Sequence, residues 1–430
     1  MENQGIVIKG GRVIDPASGL DEVTEVYIDG DQISRVGGRK NFKDRKVIDA
    51  NGKLVLPGLI DIHVHLREPG REVAETIETG SLAALSGGFT SVCCMANTTP
   101  PVDSQEGIRF VYDRARDAAC WVYPLAAVTK GMEGKELAEI FDLARAGAVA
   151  FSDDGRPVSD SRLLRNAMDY ARMLEMVITC HSEDKDLFAG GHMHEGEVSG
   201  RLGIPGIPGI AESTAVARNI ALSEFTGARL HICHVSTAES VELIRRAKTR
   251  GVPVTAEATP HHLVLTDESV ADSLFDANFK MNPPLRSAED VAALRKGIAD
   301  GTIDAIASDH APHTPEDKDR DFITAPFGIV GLETSVGLIY DQLVRGGVID
   351  EVRFAELMTS GPAAVYDLPG GNLAVGGFAD VTIIDPEHKW TVDPLDFESL
   401  STNTPFANRE LTGKAVLTMV AGEILHDEMG

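Results

Sequence analysis

Cysteine is scarce, with five residues in a chain of 430: Cys93, Cys94, Cys120, Cys180 and Cys233. Their irregular spacing contains no CxxC pair, which excludes a disulfide-stapled fold and a zinc knuckle and reads as reduced thiols. Long apolar runs are also missing. Nowhere do 18 consecutive apolar residues occur, and the opening MENQGIVIKGGRVID lacks a basic segment followed by an apolar one, so neither a membrane span nor a secretory leader is expected. Positive charge is in short supply. Forty Lys and Arg face 66 Asp and Glu, and a formal charge of −26 repels phosphate backbones and anionic lipid surfaces. A soluble, cytoplasmic protein that binds neither nucleic acid nor membrane is the expectation.

What is present suits a large globular core: 43% of residues are hydrophobic and 25% charged. There is no repeat of 20 to 50 residues and no low-complexity tract. The first 55 residues are short alternating or β-branched runs broken by Gly and Asp, a β-rich pattern. From residue 59 to about 350 apolar runs alternate with amphipathic stretches. Eight candidate strands fall at 59–66, 90–95, 121–127, 148–152, 177–180, 229–234, 254–258 and 303–308, with helices between them, the pattern of repeated βα units. Eight favour a closed (β/α)8 barrel over an open sheet. Strand chemistry returns after residue 369 in GGFADVTIIDP, HKWTV and AVLTMVAGEILH. The expected organisation is an α/β barrel at 57–368 beside a small composite β domain built from 1–56 and 369–430.

Barrel enzymes keep their chemistry at the carboxyl ends of the strands, and metal-ligand side chains fall there repeatedly. His63 and His65 in DIHVHLREPG are two apart, which on a strand turns both imidazoles to one face. Asp153 follows strand four in AVAFSDDG, His181 follows strand five in VITCHSED, His234 ends strand six in LHICHVS, and Asp309 follows strand eight in IDAIASDHAPH. Each alone reads as a packing residue. Together, four histidines and two carboxylates without thiolate suit zinc or another borderline first-row divalent ion. Six ligands exceed what one tetrahedral ion needs, so a binuclear site with a shared carboxylate is expected. His192 and His194 repeat the spacing in a Gly-rich loop with no strand to fix their faces. Of His261 and His262, after strand seven, the first reads as structural and the second as lying near the site. Cys180 and Cys233 read as small buried residues rather than ligands.

The segments PGLIDIHVHLREPG, CMANTTPP, FSDDG, CHSED, ICHVS, KMNPPLR and SDHAPH, with the closing GGFADVTIID, resemble the class I dihydroorotases, in the cyclic-amidase branch of the amidohydrolase superfamily. The resemblance spans nearly the whole chain. It implies interconversion of dihydroorotate and N-carbamoyl-aspartate in pyrimidine synthesis, with two zinc ions per chain. His63, His65 and Asp309 would hold one ion, His181 and His234 the other, and Asp153 would bridge them. Water activated between the ions would attack the ring amide, with Asp309 as general base and then acid. Arg67, Asn97 and His313 would receive the substrate carboxylate, and Asn282 and the backbone at Gly328 would touch the ring. Without the resemblance, Arg67 reads equally as a surface ion-pair residue, Asn97 as a turn former and Asn282 as a loop residue. Residues 313–326, polar and without evident apolar anchors, read as a solvated loop or lid. The partners implied are the small-molecule substrate, a second copy of the chain and aspartate transcarbamoylase.

Two alternatives stand beside this reading. Hydantoinases and allantoinases share the scaffold but are known for a carboxylated lysine where this chain has Asp153, and the lysines nearest to that position are Lys130 and Lys135, with Lys130 falling after strand three. A non-catalytic scaffold subunit for aspartate transcarbamoylase would be expected to lack the ligands that are present here.

Overall fold

All six residues of the strand Leu59–Val64 are buried, as a strand is only when covered on both faces. The same holds for Phe89–Cys94. In the computed structural model, which describes residues 5–38 and 45–429, these strands lie side by side in parallel and begin a (β/α)8 ring. Of the amino-terminal β-rich stretch, residues 1–4 and 39–44 lie outside the described residues. Trp121–Pro124 pairs in parallel with Phe89–Cys94, and Val177–Cys180, Arg229–Ile232, Val254–Ala258 and Ala305–Ile306 follow in that order, all parallel. The stretch expected as strand four forms only single bridges, from Phe151 to Ala126 and to Ile178. Its hydrogen bonds still join the two halves: Ser152 N donates to Ala126 O at 2.8 Å and Phe151 N to Val177 O at 3.1 Å. A bridge from Val64 to His310 closes the ring.

The outer helices begin where side chains satisfy the free amide groups of the first turn. Asp160 accepts from Arg162 N and Leu163 N to open Ser161–Met173, whose Leu164, Ala167, Met168 and Ala171 recur at helical spacing and face the barrel. Thr237 does the same for Ala238–Thr249, which buries Val241, Ile244 and Ala247. The helix Ile77–Ser86 starts where Thr76 and Thr79 form a reciprocal capping box.

Both chain ends contribute to one β-sandwich. Leu54–Pro57 sits between Arg12–Asp15, parallel to it, and Val381–Thr391, antiparallel to it, inside a six-stranded sheet that also holds Glu410–Val420. A second sheet carries Ile6–Lys9 and Val26–Asp29. Ile8, Val13, Ile28, Val55, Val381, Ile383 and Leu417 fill the space between them. The two runs expected at GGFADVTIIDP and HKWTV are one strand, Val381–Thr391, with an irregularity between Asp385 and Lys389. No helix among the described residues is long and apolar enough to cross a membrane.

Candidate active site

The closed ring gathers the strand-end residues at one mouth. His63 and His65 leave the first strand on one face, and their Nε2 atoms lie 3.4 and 3.0 Å from Asp309 Oδ1. Across from them His181 Nδ1 is 3.0 Å from His234 Nε2. All of these side chains are buried. The backbone pays for the convergence with conformational strain: Arg67, His234 and Asp309 hold φ of 60°, 32° and 47°, the left-handed region that non-glycine residues rarely occupy.

The carboxylate between the two histidine pairs belongs to Asp154, which corrects the expectation for Asp153. Asp154 Oδ1 lies 3.6 Å from His63 Nε2, 3.7 Å from His181 Nδ1 and 3.5 Å from His234 Nε2, while Oδ2 is 3.6 Å from His65 Nε2. Asp153 turns the other way. It accepts from Val128 N at 2.8 Å, Thr129 N at 3.1 Å and the Thr129 hydroxyl, and so ties two strand ends together. Once residues leave the strand ladder, alternation no longer decides which of two adjacent aspartates faces inward.

These residues fit a metal. Ligand atoms each about 2.1 Å from one ion at a tetrahedral angle lie about 3.4 Å apart, which is the spacing found here. Two groups meet the geometric requirement, one of His63, His65 and Asp309 and one of His63, Asp154, Cys233 and His234. His63 Nε2 and Asp154 Oδ1 are buried without a hydrogen-bond partner, as atoms meant for a cation would be. Burial alone would lower His63 and His181, but Asp309, Glu257 and Asp154 hold His63 well above its usual value, and Asp154 and Glu183 raise His181 to about 10. The same contacts outweigh burial in Asp154 and Asp309 and hold both carboxylates below the usual range. Burial pushes the Cys233 thiol well up.

A polar layer beneath the mouth escaped sequence reasoning. Glu257, inside the strand Val254–Ala258, lies 2.6 Å from His63 Nδ1 and 3.0 Å from His231 Nε2. Burial would raise it, yet the two imidazoles bring it down to about 2. Its charge holds the Nδ1 side of the ring, so that a metal-bound His63 would turn the lone pair of Nε2 to the mouth. Asp61 accepts from His63 N at 3.1 Å and Ser308 N at 3.0 Å. The available signal was a carboxylate inside a wholly buried strand, which must find a donor. Glu257→Gln should weaken metal binding roughly 10- to 100-fold in a chelator titration. An unchanged affinity would reduce Glu257 to a filler of the barrel interior.

Above the mouth lies a cavity of about 320 Å³ lined by His65, Arg67, Asn97, Asp154, Asn282, Asp309, His313 and Gly328 among others. Arg67 Nε donates to Pro312 O at 3.0 Å, and burial together with Arg71 lowers the guanidinium to about 10, still charged near neutrality. Asn97 Oδ1 lies 2.9 Å from His65 Nδ1 and orients that ring. Asn282 Nδ2 donates to Glu183 at 2.9 Å, and its Oδ1 is buried without a partner. His313 Nε2 lies 2.8 Å from Phe327 O, while burial pushes its pKa down to about 2, so the ring is neutral. Gly328 has φ of 149°, and a Cβ there would meet His313 and Ala311 O within 2.8 Å, so only glycine allows this close passage. Asn403, beyond the barrel in sequence, braces this wall: its amide donates to Ala311 O and Gly328 O at 3.1 and 3.0 Å and accepts from His313 N at 3.1 Å.

Other expectations resolve around this site. All five cysteines are free. His194 lies beside Arg286 at 3.2 Å, away from the cavity. His262 is held between the Thr259 hydroxyl and Pro283 O, and His261 packs on it with ring centroids 4.5 Å apart. Lys130 pairs with Glu136 at 2.5 Å on the surface, its side chain 44% exposed, so it supplies no bridge at the mouth. Residues 313–326 are anchored after all: Thr314 caps the short helix Pro315–Lys318, and Phe322 is buried.

The same assignment comes from comparison with known proteins. A family model described as Dihydro-orotase-like matches residues 52–240. The dihydroorotase of Pelotomaculum thermopropionicum is 54% identical over 420 residues, covering 98% of each chain. That of Anaeromyxobacter dehalogenans is 51% identical over 425 residues, again covering 98% of each. Among solved structures, the L-hydantoinase (dihydropyrimidinase) of Arthrobacter aurescens matches with a TM-score of 0.89 at 27% identity, over 98% of this chain and 96% of that one. With a histidine–aspartate cluster at the mouth of its barrel and full-length likeness to these enzymes, the chain belongs to the dihydroorotases, metal-dependent cyclic amide hydrolases of the amidohydrolase superfamily.

Proposed function

We propose that the chain interconverts (S)-dihydroorotate and N-carbamoyl-L-aspartate in cytoplasmic pyrimidine synthesis, using two zinc ions shared through Asp154. The observation that carries this reading is the placing of Asp154 between two histidine pairs, directly below a cavity whose cationic residue is Arg67. His63, His65 and Asp309 would hold one ion and His181 and His234 the other. Bound zinc would polarise the ring carbonyl and lower the pKa of water.

The chain's own residues do the remaining work. Arg67 and the Asn97 amide offer donors to the substrate carboxylate, a match of guanidinium fork to carboxylate. His313 adds an N–H that now rests on the Phe327 carbonyl and would find a stronger acceptor in a carboxylate. Asn282 presents its free Oδ1 to a ring N–H. Ring opening forms a C–O bond to water and breaks the amide C–N bond, so one proton must pass from the water to the departing nitrogen. Asp309 takes that proton and returns it. His63 and His65 outweigh burial and keep the Asp309 carboxylate ionised, the form able to accept a proton.

The purified chain reconstituted with zinc should open dihydroorotate, with activity reaching its plateau at two equivalents of metal. Bicarbonate during reconstitution should change nothing, because an aspartate bridge needs no carbon dioxide and a carboxylated lysine does. A strong bicarbonate requirement would return the protein to the hydantoinase-like reading. The proposal includes self-association and a complex with aspartate transcarbamoylase, supported by the family resemblance. Sedimentation of the chain alone and with that enzyme tests both.

A further inference from the structure

One wall of the cavity, at Pro326, Phe327 and Gly328, belongs to no helix or strand, so something other than a main-chain ladder must fix it. Two lysines do so. Lys280 Nζ donates to the carbonyls of Ile323 and Ala325 at 2.8 and 2.7 Å, and its own carbonyl accepts from Gly328 N at 2.9 Å. Lys318 Nζ donates to Pro326 O at 3.1 Å. The Lys280 ammonium also sits 4.7 Å from the Phe327 ring centroid and 5.6 Å from that of Phe322.

These lysines are only 2% and 8% exposed, and burial lowers them to about 8 and about 7. Burying an ammonium is costly, and a Met or Leu would fill the same space without that cost. What an apolar side chain could not do is hold three carbonyl oxygens of this segment, those of Ile323, Ala325 and Pro326. Lys280 is followed by Met281 and Asn282, both of which line the cavity, so one residue ties the Asn282 wall to the Gly328 wall.

We propose that Lys280, seconded by Lys318, is a positioning residue for substrate: it sets the separation of the Asn282 and Phe327–Gly328 walls and thereby the fit of the dihydroorotate ring. This rests on the reading that the cavity takes dihydroorotate. Lys280 touches neither the metal cluster nor the reacting atoms, so its effect falls on binding. Lys280→Met should raise KM for dihydroorotate about tenfold, the loss of roughly one charge-assisted hydrogen bond, with kcat and metal content little changed. Lys318→Met should move KM the same way by less. If Lys280→Met does not fold, Lys318→Met carries the test. A lowered Tm with unchanged KM in a folded variant would make the lysines packing elements and overturn the inference. Arg67→Met is measured alongside. If it raises KM while the lysine variants do not, this inference alone fails; if none of the three changes KM, the placing of dihydroorotate in this cavity fails with it.

Discussion

Asp154→Ala should cost the protein at least one metal ion and lower dihydroorotate turnover by about a thousandfold or more. Among the described residues Asp154 is the one carboxylate within 3.7 Å of all four histidines, with Oδ1 near His63, His181 and His234 and Oδ2 near His65. If two dications bind there as proposed, they would repel each other strongly, and a carboxylate shared between them would offset that repulsion. Without it, His181 and His234 would face a second ion with nothing negative between. Asp153→Ala is the matched control. It removes the acceptor for Val128 N, Thr129 N and the Thr129 hydroxyl, so it should cost about 1–3 kcal/mol of stability while leaving the metal in place. Metal analysis and turnover of both variants decide the matter. Full metal content and near wild-type turnover in Asp154→Ala would end the shared-carboxylate assignment, and loss of metal in a folded Asp153→Ala would exchange the two roles.

The second large effect concerns substrate choice. Dihydrouracil carries the same ring amide as dihydroorotate but no carboxylate, and in this cavity it would leave the Arg67 guanidinium buried beside Arg71 with no anion to answer it. Sites built to pair a polar group reject analogues lacking it by roughly 10⁴-fold or more. Wild type should therefore prefer dihydroorotate by that order in kcat/KM. Arg67→Met should lose most of the preference through weaker use of dihydroorotate, with its metals retained, since Arg67 lies outside both ligand groups. Equal use of the two compounds by wild type, or a preference that survives in Arg67→Met, would remove the carboxylate pocket from the account.

Where the chain follows a regular ladder, its sequence was readable. His63 and His65, the latter one residue past the strand Leu59–Val64 and still bonded by its N–H to His310 O, converge by alternation, and the helices Ser161–Met173 and Ala288–Ala299 begin where their capping residues stand. Reading failed just past strand ends. Asp153 and Asp154 are adjacent in a turn, and the choice between them depends on whether the Val128–Thr129 amides need an acceptor, a contact 24 residues away in sequence. Glu257 and Lys280 share a different difficulty. A charge inside an apolar run announces that a partner exists, but only the closed ring reveals that the partners are His63 for one and the Ile323 and Ala325 carbonyls for the other. Arg67, Asn97 and His313 came from family resemblance, since no periodicity singles out residues on three separate loops.

The brace at Asn403 bears on when the enzyme becomes competent during synthesis. All six residues of the histidine–aspartate cluster lie at or before Asp309, so a growing chain holds the full set before Asn403 is made. The wall at Gly328 and the amide of His313 nevertheless wait for Asn403, which emerges nearly 100 residues after Asp309 and just ahead of the strand Glu410–Val420. A chain in which Asn403 has not yet docked would thus carry the cluster residues without the finished wall above them. The finished wall therefore waits on the segment around Asn403, not on the cluster residues themselves.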